Sequence, residues 1–468
     1  WKTVYFHHNT LIGLNNSGLY EITKSTGDLL TTSYSPNDIL RSGNDYWIAL
    51  SEEGVIRWNS QTGVQKYEIS SPYENLAYRI RITGNKLIML PGGYFAGFYN
   101  RYGNIMMMEE NANQKTWTNY TYHQIRQHIG RIAYEFCDAV MDPDDLSHFY
   151  VASFGYGLFE FRNNEFYKHY MPSNTINGLE SVLENENGYT WVDGLALDED
   201  GNVWMLNTSQ SGVKVLLKNG KWVRLSNAAT RSLNRSKDLL IWNQDPTIKI
   251  TTCAREGAGV GVFDDKGTIE NTGDDRAVFF STFIDQNKRK VIPDYIYSIC
   301  QMADGSIWVG TEKGIIVLPD IRTMLNGSNS CKRIIIPRND GTGLGDYLLG
   351  DEAIYAIAED AAGRKWIGTA NSGLYLVSED GLETIEHFTE NDSPLASNAI
   401  YALAINSKTG EVYIGTSLGL MSYQSDANQA QEDFNGIYAY PNPVSSHYSG
   451  YISISGLMDN TVVNIIDA

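Results

Sequence analysis

The sequence predicts an all-β chain: a seven-bladed β-propeller, preceded by blades of another propeller and followed by the start of a β-sandwich. Three observations predict it. One phrase is written three times, as "IYSICQMADGSIWVGTEKGIIVL" from Ile296, "IYAIAEDAAGRKWIGTANSGLYLV" from Ile354 and "IYALAINSKTGEVYIGTSLGLMSY" from Ile400. Weaker copies recur upstream at steps of about one blade length, roughly 40 to 60 residues. The composition suits strands and turns, with 30 Tyr, 10 Trp and 43 Gly in 468 residues, because aromatics favour the pleated surface and glycine the tight turn.

Each copy contains an alternating strand, a polar turn ending in Gly, a W-I-G-T strand, a second Gly turn and a third strand. A weaker fourth strand usually follows, such as "ETIEHF" from Glu383. That is the four-stranded antiparallel meander of one blade. Upstream, "GLALDEDGNVWMLNTSQSGVKVL" from Gly194 and "AVMDPDDLSHFYVASFGYGLFEF" from Ala139 repeat it clearly. The stretches from Thr10, Ile39, Arg79 and Leu240 repeat it more loosely. The anchors Trp47, Leu87, Tyr150, Trp204, Ile248, Trp308, Trp366 and Tyr413, with the unit at Thr10, make nine blade-like units. Propellers typically have four to eight blades. The simplest partition gives seven to one ring, residues 73–432, and leaves residues 1–72 as the last blades of a preceding propeller. An eight-bladed ring with one odd unit is the alternative.

The motif residues read as construction. Trp204, Trp308, Trp366 and Tyr413 are expected to fill the gap between neighbouring blades, since one such ring buries about 150–250 Å². Gly310, Gly368 and Gly415 suit places where backbone crowds backbone. Packing repeats identical residues around a ring, whereas a catalytic site converges once.

Net charge is −19, which argues against nucleic acid, whose phosphates need a basic footprint. No apolar run reaches the roughly 18–20 residues of a membrane-spanning helix. Cys137, Cys253, Cys300 and Cys331 form no C-x-x-C pair and are expected to be buried free thiols. "REGAGVGVFDDKG" from Arg255 is not a dinucleotide fingerprint, because a strand rather than a helix follows it. His123 and His128 lack metal spacing. "MDPDDLSH" from Met141 lacks the Gly and Glu of a calcium loop. No catalytic constellation, metal site or cofactor motif is expected.

The best ligand-binding candidate is "LPGGYFAGFYNRYGN", residues 90–104, where Tyr94, Phe95, Phe98, Tyr99 and Tyr102 crowd around glycines with Arg101 among them. Aromatics with an arginine stack on sugars and hold acidic groups. Tyr156, in "SFGYG", is a companion; packing between blades is the competing reading. After Tyr423 a polar linker leads to "IYAYPNPVSSHYSGYISISGLMDNTVVNIIDA". There "YISISG" and "TVVNIID" alternate as strands, so residues 433–468 are expected to begin an incomplete β-sandwich. The chain starts at Trp1 and stops in a strand-like run, and we read it as part of a longer protein.

The blade phrase resembles the two-component-regulator propeller repeat of Bacteroidetes. The tail, with "YPNPV" and "ISISGL", resembles the C-terminal sorting-type domain of type IX secretion cargo. Together they resemble the PorZ-like family of type IX secretion surface components. That resemblance implies a non-enzymatic scaffold on the outer face of the outer membrane, presenting anionic lipopolysaccharide to a sortase partner. Two other readings stay open: a periplasmic ligand-sensing domain of a hybrid two-component regulator, and a propeller enzyme acting on polysaccharide.

Overall fold

The computed structural model describes residues 3–7, 10–15, 18–21, 28–31, 36–50, 54–59, 61–67, 70–93, 101–111, 114–182, 189–209, 212–225, 236–430, 437–444, 448, 452–458 and 461–464. They divide into two compact units, residues 1–73 with 114–118, and residues 74–113 with 119–468.

The first unit contains two four-stranded antiparallel sheets. One runs Thr3–His7, Thr10–Asn15, Gly18–Glu21 and Asp28–Thr31; the other runs Pro36–Ser42, Asp45–Leu50, Val55–Asn59 and Gly63–Tyr67. Ile12, Ile39, Ile48 and Ile56 form its buried core.

The second unit is a closed ring of seven blades. The inner strands are Arg79–Thr83 in blade 1, Phe136–Met141 in blade 2, Thr190–Leu197 in blade 3, Ser236–Ile241 in blade 4, Ile296–Gln301 in blade 5, Ile354–Glu359 in blade 6 and Ile400–Asn406 in blade 7. Each packs beside the next, and the last returns to the first. Outward of these, each blade continues as an antiparallel meander. Blades 1–4 and 6 have four strands; blades 5 and 7 have three among the described residues.

The core lies between blades. Blades 1 and 2 share Ile88, Met107, Val151 and Phe159. Blades 3 and 4 share Trp204, Val215, Leu239 and Phe263. Blades 5 and 6 share Trp308, Ile354, Ile357 and Ile367. Blades 6 and 7 share Trp366, Leu376, Ile400 and Val412. Trp204 and Trp366 are fully buried, and Trp308 and Tyr413 nearly so.

The acid of the turn serves that aromatic. Asp360 Oδ1 accepts the N–H groups of Ala362 and Arg364, and its Oδ2 accepts the Trp366 indole N–H at 3.3 Å. Asp198 does the same for Asn202 N and Trp204 Nε1, both at 2.8 Å. Asp-x-x-Gly-x-x-Trp is therefore a turn and an anchor for the indole in one motif.

The glycine after the aromatic has a distinct task. A Cβ on Gly368 would lie 2.6 Å from Ile400 Cγ2 in blade 7, and one on Gly310 would lie 2.5 Å from the Ile354 carbonyl oxygen in blade 6. A Cβ on Gly415 would lie 2.3 Å from the Ala77 carbonyl oxygen, just before blade 1. These glycines let each inner strand approach the preceding blade, and Gly415 does so where the ring closes. The closure is reinforced by Asn75 Oδ1, which accepts Leu420 N–H at 2.8 Å.

In the tail, Tyr438–Tyr440 pairs with Ser453–Ser455 as a short antiparallel ribbon. The strand expected over "TVVNIID" differs: residues 461–464 form no strand, because no described strand lies beside them to complete a ladder. Residues 465–468 fall outside the described residues. All four cysteines are free; Cys137, Cys253 and Cys331 are buried and Cys300 is half-buried.

Candidate functional site

Two regions gather polar and aromatic groups: the axis of the ring and one of its ends. The axis is divided by chemistry. On one side the tyrosine of each "IY" phrase, Tyr297, Tyr355 and Tyr401, lines a cavity with Tyr78. Tyr297 and Tyr355 meet edge-on at 4.8 Å, and Tyr355 and Tyr401 stack at 5.8 Å. The other side carries ions from blades 1–4. Arg81 forks onto both oxygens of Asp138, at 2.8 and 2.9 Å. Arg79 reaches Asp238 Oδ1 at 2.9 Å and the Cys137 carbonyl at 3.2 Å. Lys237 donates to the Tyr297 carbonyl. The cavity left between the two sides is about 90 Å³, space for a handful of waters.

Burial and neighbouring charge set the ionisation of these groups. Burial raises Asp138, but Arg81 and Arg79 outweigh it and hold the carboxyl below its ordinary range. Asp193 goes the other way. Burial, with Asp138 and Asp238 adding to it against Arg79, pushes it up to about 7. The folded chain thus holds this proton more tightly than the unfolded chain, whose aspartate titrates near 3.9. Stability from this group is present in acid and is lost as pH rises from about 4 through 7. Asp193→Asn keeps an acceptor for Gly194 N–H, now 2.8 Å from Asp193 Oδ1, and removes the charge. The variant is expected to flatten the pH dependence of melting across that window and to melt higher at pH 8. Parallel melting curves for variant and parent would refute this.

The end of the ring offers more room. Tyr102 stacks on Tyr122 with centroids 4.2 Å apart and on Tyr134 at 5.4 Å. Tyr134 lies 6.0 Å from Tyr156, whose ring carries the Arg131 guanidinium at 5.0 Å. Backbone bonds fix this row: Tyr102 bridges Tyr134, Glu135 N–H goes to the Arg101 carbonyl, and Phe154 N–H goes to the Glu135 carbonyl. Tyr122 opens the helix Tyr122–Ile129, held by a reciprocal Thr121–Gln124 capping box and ended at Gly130 in the left-handed region. His123 and His128 sit exposed on that helix, against Tyr122 and Phe166 respectively.

Connections between blades and between second and third strands share one end, because successive strands alternate direction. That end exposes Tyr102, Ile176, Tyr189, Ile292, Tyr295 and Leu418. The opposite end carries the turn acids Asp142, Asp198, Asp304 and Asp360. The first end carries exposed acids as well, among them Glu256, Asp294, Asp351, Glu390 and Asp392, so aromatic and acidic groups share it. Among the described residues no group of acids, histidines and cysteines is arranged to hold a metal ion.

Of the expected ligand residues, Tyr94, Phe95, Phe98 and Tyr99 lie outside the described residues. Arg101 and Tyr156 are brought into one backbone-linked row. Sequence reading missed Tyr122 and Tyr134, which come from another connection, and the channel tyrosines. The repeated Tyr after each Ile was the available signal for the latter.

This architecture is found in a solved structure. PorZ of Porphyromonas gingivalis, an essential surface component of the type IX secretion system, aligns at a TM-score of 0.75, over 97% of this chain and 67% of that one, with 23% identity. The chain folds as PorZ does. The extracellular domain of the one-component system BT4673 from B. thetaiotaomicron aligns over 90% of this chain and 64% of that chain, with a TM-score of 0.30 and 12% identity. The WD40 propeller of Doa1 aligns over 76% of this chain and 96% of that one, with a TM-score of 0.45 and 12% identity. No protein-family model matches, and no curated protein does. Among the described residues no helix is long and apolar enough to cross a membrane.

Proposed function

We propose that this chain is a non-enzymatic binding scaffold of the bacterial cell surface, a PorZ-like part of a type IX secretion attachment complex that presents anionic lipopolysaccharide to a sortase-type partner. The observation that carries the reading is the likeness to PorZ along nearly the whole chain. On this reading residues 1–72 end a preceding propeller, 73–432 form the complete ring, and 433–468 begin a C-terminal sorting-type β-sandwich. No cofactor is called for.

The tyrosine row is the surface that suits such a ligand. Sugar rings stack on aromatic faces, and Arg131 and Arg101 supply positive charge for an acidic substituent. The test is calorimetric titration with lipopolysaccharide bearing an anionic polysaccharide, against a neutral polysaccharide. The parent is expected to bind the anionic form. Tyr102→Ala/Arg131→Ala is expected to weaken binding about thirtyfold, the loss of a ~2 kcal/mol contact centre, and Tyr94→Ala/Arg101→Ala is the companion variant. Unchanged affinity in both double variants would remove the row from the ligand surface. Equal binding of the neutral polysaccharide would remove the anionic ligand.

The repeat phrase itself favours a second reading, a periplasmic ligand-sensing domain of a hybrid two-component regulator. The downstream sequence of the gene separates the two: a membrane span and kinase mark the sensor, and a completed sorting-type domain marks the scaffold.

A further inference from the structure

The outer edges of the blades are not finished alike. Blades 1–4 and 6 end in a fourth strand. In blade 5 the returning chain seals the third strand, Gly314–Leu318, because Val317 and Lys332 exchange N–H···O bonds at 2.9 and 2.8 Å. Blade 7 lacks both devices among the described residues. Its third strand, Gly419–Gln424, pairs with Glu411–Thr416 on one side only. Leu420 N–H points outward and is taken by Asn75. Ser422 and Gln424, two and four residues on, direct their backbone groups the same way. Both are exposed, and no described group takes those outward N–H groups.

Beside this edge lies a groove of about 600 Å³. Its floor is apolar, with Phe388, Leu395, Ile414 and Met421, and Glu386 and Asp392 stand in its wall. No Lys or Arg lines it. Glu383 and Glu390 flank Glu386 in the chain and add to the negative field.

We propose that this edge and groove take an extended strand of a partner polypeptide, with alternating apolar and basic residues, as the fourth strand of blade 7. Three features select that occupant. The free ladder groups ask for backbone in extended form. The apolar floor accepts every second side chain of such a strand. Glu386 and Asp392, which line the same groove, favour a strand of net positive charge. A second copy of this chain would set two acidic walls, each on a chain of net charge −19, against each other. The chain's own following linker, "QEDFNG" from Gln431, carries acids and no base. The inference does not depend on the glycolipid reading, since the groove is distinct from the tyrosine row.

The probe is a fluorescein-labelled alternating Lys–Val peptide of about eight residues, with a Glu–Val peptide as its counterpart, read by anisotropy. Ser422→Pro removes one outward N–H, and an edge strand tolerates proline there because the bonds to Glu411–Thr416 stay. Glu386→Lys/Asp392→Lys reverses the wall. The Lys–Val peptide is expected to bind the parent, and each variant to weaken it at least tenfold while its melting temperature holds. The Glu–Val peptide is expected not to bind. Equal affinity for parent and Ser422→Pro would overturn the proposal, since attraction to an acidic surface alone would then explain binding, and so would no binding at all. Slow exchange of the Ser422 amide in the protein alone would assign the edge to this chain's own residues. A dimer abolished by Ser422→Pro would assign it to a second copy. Either result also overturns the proposal.

Discussion

Asp138→Ala is expected to lower unfolding stability by about 3–5 kcal/mol, the typical loss when one member of a buried ion network is removed. Asp138 is fully buried. It accepts two bonds from Arg81, one from Leu195 N–H at 2.9 Å and one from Ala139 N–H at 3.0 Å. Truncation strands the Arg81 guanidinium and two backbone donors. The effect reaches beyond one blade, because the partners come from the inner strands of blades 1, 2 and 3, and Arg79 carries the network on to Asp238 in blade 4. The guanidinium chloride midpoint measures it. Arg81→Met in the Asp138→Ala background is expected to restore part of the loss, since it removes the stranded charge. The surface pair Arg338–Asp346, at 2.6 Å with both side chains about half exposed, provides the contrast. Breaking it is expected to cost at most about 1 kcal/mol. If the two losses were equal, the axis network would be no more than a set of surface pairs.

This network marks where sequence reading stops. The anchor positions were legible because packing between blades demands the same residue at the same register each time, so Trp204, Trp308 and Trp366 recur with their turn acids or glycines. The second Gly of the phrase was legible for a similar reason: Gly314 and Gly373 both take φ of +84°. The ions of the axis obey no such rule. Blade 1 contributes Arg79 and Arg81, blades 2, 3 and 4 contribute Asp138, Asp193 and Asp238 with Lys237, and blades 5, 6 and 7 bring tyrosines to the axis instead, so the acids do not repeat around the whole ring. Only closure of the ring makes them neighbours. The tyrosine row is an intermediate case. The glycine-rich stretch at residues 90–104 includes Tyr102, the centre of the row. Its stacking partners Tyr122 and Tyr134 follow a whole strand later, and no spacing rule links them to it. That blade 7 has three strands among the described residues was hidden for another reason: the polar stretch after Tyr423 reads the same whether a strand or a linker follows.

Trp366→Ala is expected to cost about 3–5 kcal/mol, as for other fully buried large aromatics. The local consequence is more informative than the sum. Trp366 belongs to blade 6, yet its indole packs with Ile400, Val412 and Ile414 of blade 7. Phe388 and Tyr423 lie with ring centroids 6.2 and 5.5 Å from it. Removing it opens a cavity between the last two blades, and blade 7 has no fourth strand among the described residues to hold its outer edge. Amide exchange in Glu411–Thr416 and Gly419–Gln424 is therefore expected to speed up more than exchange in blades 2 and 3. Trp204→Ala removes an equally buried indole from between blades 3 and 4, both four-stranded and far from the closure. It is expected to lower the midpoint by a similar amount but to leave blade 7 amides relatively protected. Trp366→Phe separates packing from polarity. It keeps most of the ring volume and loses only the 3.3 Å bond to Asp360, whose carboxylate retains the Arg364 guanidinium at 2.8 Å. Its cost is expected near 1 kcal/mol. If Trp366→Ala and Trp204→Ala gave the same exchange pattern, the ring would unfold as one unit and blade 7 would not be its weak point. If blade 7 opens first, it is the least stable part of the ring, the end of the stability range from which proteins draw surfaces that dock a partner.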